Sequence, residues 1–125
     1  MFQNNVEVLN MARALAAHAA ARQVVIARNV ANADTPGYRA ADLPDFAQVW
    51  RDGTRDASGL ARISTRPPGS GDIGSHAGTV SPNGNSVSLE AEMVKAAEAR
   101  QAHDMALAIY KSLSGAIRTS LGRGR

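Results

Sequence analysis

A chain of 125 residues has room for one small domain, and its composition limits what that domain can bury: aromatic residues make up 4% and cysteine is absent. Fourteen basic residues stand against eleven acidic ones, a formal charge of +3. They are mixed along the chain rather than gathered into blocks, which argues against a dedicated nucleic-acid surface. The absence of cysteine is compatible with an oxidising compartment without establishing one, and no stretch is long and apolar enough to cross a membrane.

From Asn5 to Ala33 the apolar positions Val8, Met11, Ala12, Leu15, Ala19, Ile26 and Val30 fall within one broad helical stripe, which predicts a helix of about 43 Å at 1.5 Å per residue. Ala14, Ala17 and Ala21, joined by Val24 and Val25, form a second, small-residue face where another helix can approach closely. Arg22 interrupts the first stripe, and its long stem can snorkel. Ala19-Ala20-Ala21 imitates a leader-cleavage site, yet the most apolar run, Val24 to Ala27, follows it instead of preceding it. Export by a route without a cleaved leader is therefore expected.

The stretch Ala27 to Tyr38 reads A-R-N-V-A-N-A-D-T-P-G-Y. Asn29 and Asn32 lie three apart on one helix face just before the helix must stop, where their amides can bond free carbonyls or a second segment. Asp34 can bond backbone groups two residues on. Thr35 is pushed to extended geometry by the proline after it, and Pro36-Gly37 fits the central pair of a type II turn ahead of Tyr38. Read from the residues alone, this is a helix cap with a turn. As a whole word, however, it resembles the N-terminal signature of flagellar axial proteins, roughly A-x-N-[IV]-A-N-x-x-T-x-G-[YF], and in the form A-D-T-P-G-Y it is most similar to the proximal rod protein B family.

Asp45 to Arg51, D-F-A-Q-V-W-R, is the one aromatic concentration. Phe46, Val49 and Trp50 share a helical face and make a short anchor, either packed on the protein's own helices or docking a partner. The spacing Phe46-x-x-x-Trp50 also resembles the short hydrophobic element by which early flagellar subunits engage the export gate. Beyond it, seven of the eleven glycines lie between Gly53 and Gly84, with Pro67, Pro68 and Pro82 among them, so this stretch reads as long loop with at most short strands.

The turn Ser81-Pro82-Asn83-Gly84 leads to Ser88 as a helix N-cap, with Glu90 and Glu92 in the first turn where the dipole favours negative charge. A seven-residue repeat follows through Leu89, Glu92, Ala96, Ala99, His103, Ala106, Tyr110, Leu113, Ile117 and Ser120, and Gly122 and Gly124 mark its end near Leu121. Glu92 and His103 weaken this seam, so coiled-coil packing and an ordinary helical pair both remain open. The run Asn83 to Met93, N-G-N-S-V-S-L-E-A-E-M, is similar to the rod protein B pattern G-N-x-V-x-L-E-x-E-M. Ser88 stands where aspartate is common in that family, a swap that preserves capping. The two words cover about a fifth of the chain, in the family's order and separation.

Catalytic signals are absent. His18, His76 and His103 lack metal-ligand spacing, no nucleophile motif surrounds a serine, and Gly69-Ser70-Gly71 reads as a flexible loop rather than a phosphate cradle. Asp42 and Asp45 flank Leu43-Pro44 and could pair as carboxylates, but read more simply as the polar edge of a turn. No enzyme activity, catalytic residue, cofactor, metal or small-molecule substrate is expected.

The expected fold is mainly α: an N-terminal helix over 1–33 and a C-terminal helix over 88–121 packed as an antiparallel coiled-coil-like pair. A turn, the short anchor and a Gly/Pro-rich loop-like middle occupy 34–87, and a tail 122–125, all in one structural domain. Val8, Leu15, Ile26 and Val30 on the first helix and Leu89, Ala106, Tyr110, Leu113, Ile117 and Leu121 on the second are the packing positions. The resemblance implies a structural subunit of the proximal rod of the bacterial flagellar basal body, which transmits torque. Such a subunit would be exported by the flagellar type III apparatus and assembled in the periplasm. Implied partners are copies of itself, other rod proteins, the membrane-ring protein and the rod-base adaptor, with no nucleic acid. The opposing reading is a small basic module gripping nucleic acid or anionic lipid through Arg118, Arg123 and Arg125.

Overall fold

The computed structural model describes residues 2–55, 74–75 and 80–122. Helix α1 spans Phe2–Ala31 and helix α3 spans Leu89–Gly122. Between them lie the two-residue strand β1 (Ala41–Asp42), helix α2 (Phe46–Arg55) and strand β2 (Gly74–Ser75). At 1.5 Å per residue the long helices run about 45 and 51 Å. The chain is mainly helical, and α1 and α3 pack against each other as an antiparallel pair. Contacts that step down α1 from Asn29 to Arg22 step up α3 from Glu92 to Glu98.

The pair is thin because its seam is built from small side chains. Ala12, Ala19 and Ile26 are buried seven residues apart on α1, and Glu92, Ala99 and Ala106 are buried seven apart on α3. This is the 3.5-residue spacing of two helices that stay in contact over many turns. Alanine at the contact lets the backbones approach closely but contributes little apolar area, at roughly 25 cal/mol per Å². Glu92 does not weaken the seam as its charge led us to expect. It is 1% exposed, with Lys95 Nζ at 3.1 Å and Asn29 Nδ2 at 3.1 Å as donors. His103 is half-buried.

Both ends of the middle are capped. Helix α1 stops at Ala31, two residues before the expected end at Ala33, and Asn32 to Gly37 form turns. Ser88 caps α3: its carbonyl accepts from Glu92 N–H at 2.9 Å and its hydroxyl from Ala91 N–H at 3.4 Å. The Asp45 carbonyl opens α2, accepting from Gln48 and Val49 N–H at 3.1 Å each. The strands pair antiparallel, Ala41 with Ser75 and Asp42 with Gly74, so the middle returns to the base of the helix pair. The remainder of the glycine-rich stretch, including Gly69-Ser70-Gly71 and His76, lies outside the described residues, as do Gly124 and the tail arginines Arg123 and Arg125.

Candidate functional site

The two sequence words fold onto each other at one end of the helix pair, and Asn29 is the centre of the junction. Its side chain is fully buried and every polar atom is used. Nδ2 donates to Ala41 O at 2.7 Å and to Glu92 Oε2 at 3.1 Å. Oδ1 accepts from Ala41 N–H at 3.1 Å and from the Tyr38 hydroxyl at 3.0 Å. One amide thus ties α1, the chain after the turn, and α3. Asn32, three residues on, works locally instead: it donates to Arg28 O at 2.8 Å and accepts the Thr35 hydroxyl at 3.2 Å.

Asn85 closes the end of α1 from the second word. Its Nδ2 lies 2.8, 2.7 and 2.8 Å from the carbonyls of Asn32, Ala33 and Thr35. These are carbonyls of the turn just past the end of α1, converging on one amide. Its Oδ1 accepts from Val87 N–H at 2.8 Å, which holds the approach to α3. Alongside, Gly37 N–H donates to Asn83 O at 3.0 Å, Ser86 N–H to Tyr38 O at 3.0 Å, and Ala40 N–H to the Ser86 hydroxyl at 2.8 Å.

Two glycines make this close approach possible. Tyr38 N–H bonds Thr35 O at 3.3 Å across Pro36-Gly37, and Gly37 has φ +73°, the positive value a type II turn requires at that position. Gly84 has φ +83°, and a Cβ there would stand 3.4 Å from the Gly37 Cα. Asp34, Thr35, Pro36 and Gly37 are all exposed on the outer surface of the turn, while Tyr38 is half-buried.

An ion-pair chain flanks the junction. Arg22 grips Asp42 with two bonds, Nε to Oδ1 at 3.0 Å and Nη2 to Oδ2 at 3.1 Å, and reaches Glu98 at 3.3 Å. Lys95 stands 3.9 Å from Asp42 and 3.1 Å from Glu92. The hydrogen bond to Asp42 is the largest influence on Arg22, and with the Asp42 and Glu98 charges it outweighs burial and raises the guanidinium above its ordinary range. Burial pushes Asp42 up. The bonds from Arg22 and Leu43 N–H, with the charges of Arg22 and Lys95, outweigh it together and hold the carboxyl below its ordinary value. Arg22 is therefore paired rather than merely snorkelling, and Asp42 belongs to this network instead of pairing with the exposed Asp45.

The aromatic anchor lies on α1. The Phe46 ring meets His18 edge-on at 5.6 Å and stacks on Trp50 at 6.1 Å. His18 Nε2 is 2.8 Å from Pro44 O. Phe46, Val49 and Trp50 are each half-buried. Of the packing positions, Ile26 and Ala106 are buried; Leu15, Leu113 and Ile117 are half-buried. Val8, Val30, Leu89, Tyr110 and Leu121 are exposed in the single chain. Among the described residues no group of three or more His, Cys, Asp or Glu could hold a metal ion. No helix among them is long and apolar enough to cross a membrane.

Asn85, Lys95 and Glu98 had no role legible in the sequence, and Arg22 and Asp42 had no legible partners. Only Asn85 carried a signal, its place in the second word.

Residues 9–39 match the family model described as flagella basal body rod protein. That span ends just after the turn at Gly37, so it holds Asn29, Asn32 and the stop of α1. The chain is also 28% identical to the flagellar basal body rod protein FlgB of Agrobacterium fabrum, over 86% of this chain and 87% of that protein. Neither match gives support to a nucleic-acid or lipid-binding module. On these matches, and on a fold of two paired terminal helices joined where the two words meet, the chain is similar to flagellar basal body rod proteins and is FlgB-like.

Proposed function

We propose that the chain is a structural subunit of the proximal rod, joined to its neighbours through the outer faces of its two long helices and carrying torque through that packing. The observation that carries the reading is the division of apolar side chains. The pair buries one narrow stripe, mostly alanine, and leaves Val8, Met11, Met105, Ile109, Tyr110 and Leu121 between 37% and 70% exposed. Large apolar side chains repeated along two helices suit burial against other helices, since contiguous exposed apolar patches mark interaction surfaces. The rod family is structural and associates with other basal body proteins. Within it, the partners we propose are copies of this chain, other rod subunits, the membrane-ring protein and the rod-base adaptor. Assembly is in the periplasm, after passage through the type III export apparatus. Phe46, Val49 and Trp50 are proposed to serve that passage, and no enzymatic step is assigned to the chain.

The test is a strain lacking this chain, complemented with a tagged copy. Basal bodies isolated from it should contain the tagged chain at the base of the rod, and the uncomplemented strain should build no rod. Complete rods in its absence would overturn the proposal.

A further inference from the structure

We infer that the polar junction sets the register of the helix pair, selecting one alignment of α1 and α3 from several that their alanine seam would accept. This does not depend on the assembly reading above. Ala12 and Ala19 are buried seven residues apart on α1, and Ala99 and Ala106 seven apart on α3. A slide of one heptad therefore replaces alanine by alanine at one step of each stripe, with Ile26 the larger knob displaced, and keeps the same faces together. Knobs of one size distinguish poorly between such alignments, and a polar group in the seam is the best-attested device for fixing one.

The polar groups here are concentrated at one end. Asn29 and Glu92 face each other at 3.1 Å, with 0% and 1% exposure. A slide would break this bond and carry the Glu92 carboxylate along an apolar seam with Lys95 as its remaining partner, and burying a charge with fewer partners is costly. Asn85 adds a second lock, because its amide reaches the carbonyls of Asn32, Ala33 and Thr35 just past the end of α1. The consequence reaches the far end of the pair. The alignment of Val8 and Met11 on α1 with Ile109 and Tyr110 on α3 is dictated by bonds at the junction, not by the residues themselves.

The chain has no cysteine, so labels can be placed cleanly at Arg13→Cys on α1 and Lys111→Cys on α3, both exposed positions. Spin-label distances between them in the full chain should show one population. In the Asn85→Ala, Glu92→Leu double variant, where leucine offers apolar burial in exchange, helix content should persist by circular dichroism. A second distance population should appear, from a slide of about 10 Å along the pair, seven residues at 1.5 Å each. The conservative variant Glu92→Gln, which keeps an acceptor for Asn29, should retain the single distance and shows whether the label pair reports register when folding is intact. A double variant with one unchanged distance would overturn the inference. So would one that loses its helices, since the junction would then supply stability rather than alignment, and so would a second population already present in Glu92→Gln.

Discussion

Asn29 on α1 and Glu92 on α3, 63 positions apart in the chain, bond at 3.1 Å inside the molecule, and each is almost wholly removed from water. The bond is neither decorative nor local. The same Asn29 side chain satisfies both backbone groups of Ala41 and the Tyr38 hydroxyl. Removing it takes a partner from the buried Glu92 and from three half-buried groups at once, and an unmet buried polar group costs more than a made bond contributes. Asn29→Ala should therefore destabilise the chain by about 3 kcal/mol, read as a lower urea midpoint with unchanged slope. Amide protection should be lost first around Ala41 and the start of α3. A change below about 0.5 kcal/mol, the range of ordinary surface substitutions, would mean that water replaces the amide at no cost.

Asp42 supplies the pH dependence. Its carboxyl sits below the ordinary value of 3.8 in the folded chain, so protons bind the unfolded chain more readily. Its stabilisation is then fully present above the unfolded value and is lost as pH falls through the folded one. Arg22, raised above its ordinary value, has the opposite sign: its contribution is present below the unfolded value and is lost only in strong base. Thermal midpoints measured from pH 7 downward should fall on the acid side of about 4. The fall should be smaller in Asp42→Asn, which starts from a lower midpoint at neutral pH because Arg22 and Lys95 lose their shared carboxylate. Equal acid slopes in the two proteins would remove Asp42 from the account.

The fold was legible where one helix at a time decides it. The seven-residue spacing placed α3, Ser88 marked its first turn, and Pro36-Gly37 marked the stop after α1, because periodicity and turn chemistry are local properties. The junction was not legible in the same way. Glu92 read as a defect in the seam because its compensation comes from Asn29 on another helix. Arg22 read as an interruption because Asp42 and Glu98 belong to two further segments. Asn85 read only as a letter of the second word, since the carbonyls it bonds are brought beside it only once α1 has ended and turned.

The turn carries its own test. Gly37 has φ +73° with open space where a Cβ would go, so substitution there is opposed by backbone strain rather than by collision. Gly37→Val should cost about 1 to 3 kcal/mol and disturb the bond from Gly37 N–H to Asn83 O. Gly84→Ala meets both a positive φ of +83° and the Gly37 Cα at 3.4 Å, and should cost at least as much as Gly37→Ala. Swimming in soft agar should decline for Gly37→Val while the subunit is still exported. Full motility with an unchanged melting temperature would show that the backbone rearranges freely at this turn.

Leu113 and Ile117 lie four residues apart late in α3, each half-buried in the single chain, so one side faces α1 and the other is free for a neighbour. An unpaired carboxylate buried at either position costs far more than a surface change, on the order of several kcal/mol. Leu113→Glu and Ile117→Glu should leave an exported, soluble protein that does not enter the rod, measured as its absence from isolated basal bodies. Arg123→Ala with Arg125→Ala should be nearly silent in the same assay, because helix packing asks nothing of a charged tail. Binding through those arginines would instead weaken steeply with salt. If the tail pair proved essential and the seam accepted glutamate, incorporation would be electrostatic and the helix-packing account of assembly would fail.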